Sequence, residues 1–237
     1  MQLLFHKLIM RIFANLYNQM AYKAIIAGAS GLIGSKLVQL LLNNQEYNEV
    51  VILVRNLLPI THPKLLQVVT RFEELDNYAN IIEGHALFCC LGTTKAKTPD
   101  KNIYRMIDHD YPVKLAQLAA QNGVNQYHLV SAIGANAGSS QFYLRTKGET
   151  ELDVIKSGMR RIDIYQPSFL TGRENETRLG EIIAGPVFSV LDPLLLGGLK
   201  KYRSIPAFTV AKAMVNQSLK LHEGVFTYPS DKIKLLA

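Results

Sequence analysis

The chain has 237 residues, 48% of them apolar, with a formal net charge of +7 and two cysteines. That length supports one sizeable core, and the two cysteines, adjacent at positions 89 and 90 in an apolar run, argue against a disulfide framework and offer no metal-ligand spacing, which fits a reducing, cytoplasmic setting. The basic residues are dispersed and accompany no groove-reading motif, so no nucleic acid partner is expected despite the charge.

Residues 1–20 carry Leu3, Leu4, Phe5, Leu8, Ile9, Ile12, Phe13 and Leu16, with Lys7 and Arg11 between them. The run is too short to span a membrane, and its charges interrupt any secretory core. It reads either as an amphipathic, interfacial helix or as a non-native or mobile extension ahead of a start at Met20. Residues 21–237 then form one domain.

The string Ala24-Ile25-Ile26-Ala27 has strand character, and after Gly31 the apolar residues Ile33, Leu37, Leu40 and Leu41 recur at helical spacing. Between them, Gly28-Ala-Ser-Gly31-Leu-Ile-Gly34 makes a strand-to-helix turn. Gly28 permits the tight turn, Gly31 lets backbone approach a phosphate, and Gly34 lets the helix lie close on the strand, with free amides facing an anion. Val50-Val51-Ile52-Leu53-Val54 reads as a second buried strand ending in Arg55, where an NAD-selective protein would place an acid. A guanidinium there matches a 2′-phosphate, so NADP(H) is favoured over NAD(H); the alternative for Arg55 is a solvated loop charge.

Further on, Gln126-Tyr127-His128-Leu129-Val130 is a strand with Ser131 at its end, and residues 141–157 look helical, which puts Tyr143 and Lys147 on one face. A phenol near pKa ~10 is a poor proton donor-acceptor at neutral pH unless an ammonium and a cationic nicotinamide stabilise its phenolate. Ser131 would bond the substrate oxygen, Tyr143 would exchange its proton, and Lys147 would tune Tyr143 and hold the nicotinamide ribose. A second Tyr-x-x-x-Lys, from Tyr228 to Lys232, is set aside because proline follows the tyrosine. The six histidines show no metal-ligand spacing and read as structural or solvated. The apolar stretch at 184–199 contains Gly185, Pro186, Pro193, Gly197 and Gly198, too many breakers for a spanning helix. It suggests a substrate-side cap, around 168–206, or a self-association surface, with a polar loop at 173–178 before it.

These motifs resemble the short-chain dehydrogenase/reductase superfamily. Several strings narrow the likeness to its Tat-interacting-protein-like atypical group: Phe72-Glu73-Glu74-Leu75-Asp76-Asn77-Tyr78, Phe88-Cys89-Cys90-Leu91-Gly92-Thr93-Thr94-Lys95, Asp108-His109-Asp110-Tyr111 and Gln166-Pro167-Ser168. The likeness covers residues 22–216. It implies that Gly28, Ser30, Gly31, Leu32 and Ile33 line the pyrophosphate and Arg55 the adenosine phosphate. It also implies that Leu91, Gly92 and Thr93 pass beneath the nicotinamide ribose, and that Pro167 and Ser168 cover the carboxamide. Two positions depart from the pattern. Thr70-Arg71-Phe72 stands where many relatives place an aspartate against adenine, and Asp108 where many supply an active-site asparagine. Asp108 reads equally as an ordinary surface carboxylate.

The expected fold is a doubly wound parallel α/β sheet with a small irregular cap. The expected function is NADPH-dependent hydride transfer to or from a small carbonyl or alcohol. Two rivals stand beside it: a non-catalytic NADPH-binding regulator with a protein partner, and a nucleotide-sugar epimerase or dehydratase, for which the tail after Pro167 is short. A homo-oligomer is compatible with each.

Overall fold

The computed structural model of the chain describes residues 22–172 and 192–237. The leader at 1–20, the polar loop at 173–178 and the first half of the apolar stretch, 184–191, lie outside the described residues.

In chain order the elements begin with β1 (Tyr22–Ala27), α1 (Leu32–Leu42), β2 (Tyr47–Val54), β3 (Leu65–Val69), a 3-10 segment (Phe72–Ile81) and β4 (Ala86–Cys89). Next come α2 (Lys101–Arg105), a π-helical turn (Met106–Asp110), α3 (Tyr111–Gln121), β5 (Gln126–Val130), α4 (Phe142–Ile155) and β6 (Arg161–Gln166). The short strands β7 (Leu170–Thr171) and β8 (Ile205–Pro206) pair with each other; α5 (Ala207–Ser218), β9 (Gly224–Pro229) and α6 (Ser230–Leu236) follow.

Seven strands form one parallel sheet in the order β3-β2-β1-β4-β5-β6-β9. Each parallel step requires a crossover; residues 55–64 make the one from β2 to β3 without a helix, and helical segments make the others, which covers both faces and explains why the central strands are apolar throughout rather than alternating. Ala24, Ile26, Val50, Ile52 and Phe88 pack beneath α1 and α5, against Leu37, Leu41, Val210 and Met214. Ile25, Ala27, Val51, Leu53 and Leu87 point the other way, against Leu115, Leu118 and Val154 of α3 and α4. Full burial of a leucine such as Leu37 or Leu41 contributes about 1.5–3 kcal/mol. No helix among the described residues is long and apolar enough to cross a membrane.

The register sets the height of the loops. Ala27 lies opposite Leu53 and Cys89, Cys89 opposite Leu129, and Leu129 opposite Ile164. The turns after β1, β2, β4, β5 and β6 therefore emerge side by side at the carboxyl edge, where ligands bind in open α/β sheets.

A charge pair is buried within the sheet. Arg161 donates from Nε to Asp163 Oδ2 at 2.6 Å and from Nη2 to Oδ1 at 3.1 Å, and Tyr228 donates to Oδ1 at 2.9 Å. Tyr228 thus sits on β9 while Lys232 belongs to α6, as the intervening proline implied. His128, 3.7 Å from Asp163, is pushed from its ordinary 6.5 down to about 4 by burial, against the pull of Asp163. Arg161→Met, which strands the Asp163 charge, is expected to cost about 3–5 kcal/mol in urea denaturation, and Arg161→Met with Asp163→Leu to recover most of that loss. Keeping His128 neutral contributes stability that is present above its ordinary pKa and is lost as pH falls through about 4. Denaturation midpoints of His128→Gln should accordingly fall less than wild type across that interval.

Candidate active site

Gly28 turns the chain off β1 with φ +89°, and a Cβ there would lie 2.6 Å from the carbonyl carbon and oxygen of Cys90. A Cβ on Gly34 would lie 2.1 Å from the Gly28 oxygen, so α1 rests directly on the turn. The Gly31 amide donates to the Gly28 carbonyl at 3.0 Å, and the first helical bond runs from Ser35 N–H to Gly31 C=O at 2.9 Å. The amides at the start of α1 consequently lack intrahelical acceptors and present partial positive charge.

These amides open into a cleft of about 520 Å³ whose lining includes Gly28, Ser30, Gly31, Arg55, Leu91, Gly92 and Thr93. Arg55 is exposed at its rim. Glu73 shares the lining; it accepts from the Tyr111 hydroxyl at 2.7 Å, and that bond, with Arg55 and Arg71 nearby, holds its carboxyl below the usual range. A glycine-walled cradle with unpaired amides at one end and a guanidinium at the other fits a nucleotide pyrophosphate.

Against Gly92 and Thr93 of the cleft wall lies a buried ion pair. Lys147 Nζ is 2.9 Å from Asp108 Oδ1, and Asp108 Oδ2 accepts from the Thr93 amide at 2.7 Å. Asp108 is 1% exposed, which settles its reading against a surface carboxylate. Local sequence explains its placement. Pro112 has no N–H to return to the Asp108 carbonyl four residues earlier, and Thr150 of α4 donates to that carbonyl instead, at 2.9 Å. The π-helical turn thereby docks on α4 one turn from Lys147. Gly92 forms the floor above the pair, since a Cβ on it would meet Asp108 Oδ1 at 3.5 Å and Lys147 Nζ at 3.7 Å.

Burial works against the Lys147 charge, but Asp108 and Tyr143 more than offset it, and the ammonium is held more firmly than usual. Tyr143 stands one helical turn earlier, 43% exposed, so its ring is open to a substrate. Desolvation by the surrounding walls raises its phenol, Lys147 lowers it, and Asp108 raises it again. Burial is the largest of these effects and outweighs Lys147, with Asp108 adding to it, so without a nicotinamide beside it the phenol lies above its ordinary value. Ser131 follows β5, its amide bonded to the Tyr165 carbonyl at 2.7 Å, and its hydroxyl donates to Glu151 of α4. Gly148 lets α4 press on the loop after Ser131, since a Cβ there would lie 2.2 Å from the Ala137 nitrogen.

The remaining expected residues are spread more widely. Ile33 is buried in the core, so only its backbone is available to a phosphate, and Leu32 packs beside that core. The Pro167 carbonyl accepts from the Ile133 amide at 3.0 Å. Ser168 is tied to the far side: its amide donates to Ser230 Oγ at 2.7 Å and its hydroxyl to the Arg203 carbonyl. Sequence reasoning did not single out Glu151; the available signal was its position four residues after Lys147 and eight after Tyr143, on the same helix face.

Fold and cleft together define a Rossmann-type NAD(P)-binding protein. The family model described as NAD(P)H-binding matches residues 28–182. Protein HTATIP2 of Rattus norvegicus is 35% identical over 203 residues, covering 84% of this chain and 82% of that one. Protein FMP52, mitochondrial, of Candida albicans is 30% identical over 201 residues, covering 82% and 87%. Among solved structures, the Bordetella bronchiseptica enzyme WbmH in complex with NAD+ superposes with a TM-score of 0.67 at 16% identity, covering 88% of this chain and 76% of that one. UDP-glucose 4-epimerase from Thermotoga maritima gives 0.65 at 15% identity, covering 90% and 81%. At such identity the last two show the fold alone. The chain belongs to the NAD(P)H-binding family as an atypical short-chain dehydrogenase/reductase.

Asp108→Asn removes the carboxylate that opposes Lys147, and the Tyr143 phenol should titrate at lower pH than in wild type. Phenolate absorbance across an alkaline titration, with Tyr143→Phe as the blank, measures the shift; an unmoved or raised value would contradict the assigned coupling. Gly34→Ala is expected to destabilise by about 1–3 kcal/mol in thermal or urea melts, because backbone must shift to admit the methyl.

Proposed function

We propose that the protein is an NADPH-dependent oxidoreductase that interconverts a small carbonyl and its alcohol. The observation that carries this reading is a convergence beside the cleft-lining Gly92: Gly92 lies against the Lys147–Asp108 pair, Tyr143 stands one turn before Lys147 within reach of its charge, and Ser131, just after β5, bonds Glu151 one turn beyond Lys147. Gly28, Ser30, Gly31 and the amides of Leu32, Ile33 and Gly34 would hold the pyrophosphate, and Arg55 the 2′-phosphate. Leu91, Gly92, Thr93, Tyr143, Lys147, Pro167 and Ser168 would surround the nicotinamide half.

When bound, the reduced nicotinamide supplies the hydride. In the reducing direction Tyr143 gives its phenolic proton to the alkoxide oxygen that develops on the substrate. The Lys147 ammonium stabilises the phenolate left behind, and Ser131 donates a hydrogen bond to the same substrate oxygen. The preference for a phosphorylated cofactor is supported by Arg55 at the rim and by the absence of an acid at the end of β2. A single domain over 21–237, capped around 168–206, is supported by the β7–β8 pairing and by Asp192, whose carboxylate accepts from the Ser204 amide at 2.9 Å. The cytoplasmic location remains our proposal from the free thiols of Cys89 and Cys90.

The second reading, a cofactor-dependent binding module, is favoured by one observation: Lys147 and Ser131 are both engaged by carboxylates. It would prevail if NADPH bound, no carbonyl panel member were reduced, and a partner were retained only with cofactor present. For the enzyme, Tyr143→Phe should lower NADPH-dependent carbonyl turnover at least about tenfold, the removal of one general acid. Arg55→Ala should weaken NADPH binding about tenfold or more in calorimetry while leaving NADH within about twofold, because a charge-assisted phosphate contact is worth roughly 1.5–3 kcal/mol. Equal losses for both nucleotides would remove the case for NADPH.

A further inference from the structure

The Ser131 hydroxyl has one proton, and in this structure it is given to Glu151. Ser131 donates to Glu151 Oε1, and Gln166 at the end of β6 donates from Nε2 to both Glu151 oxygens, at 2.9 and 3.1 Å. Register explains the meeting: Val130 pairs with Tyr165, so Ser131 and Gln166 emerge level, and Glu151 of α4 lies across both. Ser131 is 5% exposed and Glu151 is half-buried, so water does not readily replace these bonds. The ordinary expectation for a helical glutamate is a solvated head group, and this one is instead embraced by two strand ends.

An ionised carboxylate accepts hydrogen bonds and donates none. While Glu151 is ionised, Ser131 must turn its only proton toward it and has none for a substrate oxygen. A protonated Glu151 reverses the arrangement: its O–H donates to Ser131 Oγ, and the serine proton is freed to point into the cleft. We propose that Glu151 is a positioning residue whose protonation state decides whether Ser131 can donate to the substrate. The inference rests on the oxidoreductase reading above.

The step balances simply. One proton is taken from solvent onto a Glu151 oxygen when the donor direction reverses, and it returns when the product leaves; no substrate bond is made or broken by Glu151. Of the groups around the carboxyl, β5 offers the Ser131 hydroxyl and β6 the Gln166 amide, neither of them ionisable. The Lys147 ammonium on α4 is the charge that acts on it. Burial raises the Glu151 carboxyl, against the lowering effect of Ser131, Gln166 and Lys147, so the protonated form persists to higher pH than for a solvated glutamate. Donation to substrate is therefore available on the acid side and is withdrawn as pH rises through that raised value.

Two measurements test this. Infrared difference spectra over an acid titration of the cofactor-free protein should show a carboxylic C=O band that is absent in Glu151→Gln and displaced in Ser131→Ala. Reduction of phenanthrenequinone by NADPH should show kcat/KM declining on the alkaline side in wild type, about tenfold per pH unit beyond the midpoint. Glu151→Gln, whose amide mimics the neutral acid as a permanent donor, should remove that decline, whereas Glu151→Ala should lower kcat/KM at every pH. A band indifferent to Ser131→Ala, or an alkaline decline retained in Glu151→Gln, would overturn the proposal. Absence of turnover by wild type together with a Ser131-sensitive band would sink the oxidoreductase reading while upholding the Ser131–Glu151 coupling.

Discussion

Parallel strands that share a register end at the same height, and on that constraint the cleft depends. Ala27, Leu53, Cys89, Leu129 and Ile164 stand abreast, so the glycine turn, Arg55, the Leu91–Thr93 loop, Ser131 and Gln166 all surface along one edge. Antiparallel pairing would send alternate loops to the opposite end. The close approach of Gly28 to Cys90 holds the turns after β1 and β4 together at this edge, and Gly148 does the same for α4 and the loop after β5. Small residues are found where backbone must touch backbone, and the cleft is what remains between those contacts.

Along α4, charge is arranged as a short series. Tyr143, Lys147 and Glu151 recur every four residues, and the latter two meet partners from other elements: Lys147 meets Asp108 of the π-helical turn, and Glu151 meets Ser131 and Gln166. A lysine buried this deeply would tend to lose its proton without a counter-charge. Asp108 prevents that, and the same carboxylate dampens the effect of Lys147 on Tyr143. The site in this state is balanced rather than poised, with its cation neutralised and its serine turned aside.

Much of the fold was legible because the signals were local. Apolar runs of strand length, the Gly28–Gly34 spacing and the helical pattern around Leu37 and Leu41 each act within a few residues, and the strand at 126–130 coincides with β5. The proline after Tyr228 sufficed to separate the two Tyr-x-x-x-Lys patterns. What escaped the sequence depends on distant partners. Glu151 looks like any exposed glutamate until the ends of β5 and β6 are placed against it. The burial of Asp108 follows from a π-helical turn that Pro112 and Thr150 fix jointly, and the two lie 38 positions apart. Ile33 sits inside a phosphate-binding motif by spacing, yet its side chain belongs to the core. The upward shift of Tyr143 was unreadable for the same reason, since it comes first from the walls that desolvate the phenol and only then from Lys147 and Asp108.

The π-helical turn at Met106–Asp110 carries a consequence for how such a site changes over generations. A wider turn holds one residue more than the α-helix it interrupts, and each residue of an α-helix advances the azimuth by about 100°. Deleting a single codon in this stretch would regularise the helix and sweep the Asp108 carboxylate off Lys147, and it would turn the cleft-lining Met106, Ile107 and Tyr111 relative to one another as well. Insertion or loss at that one place is thus a reversible evolutionary toggle between a silenced and an unshielded cation, reachable in one genetic event.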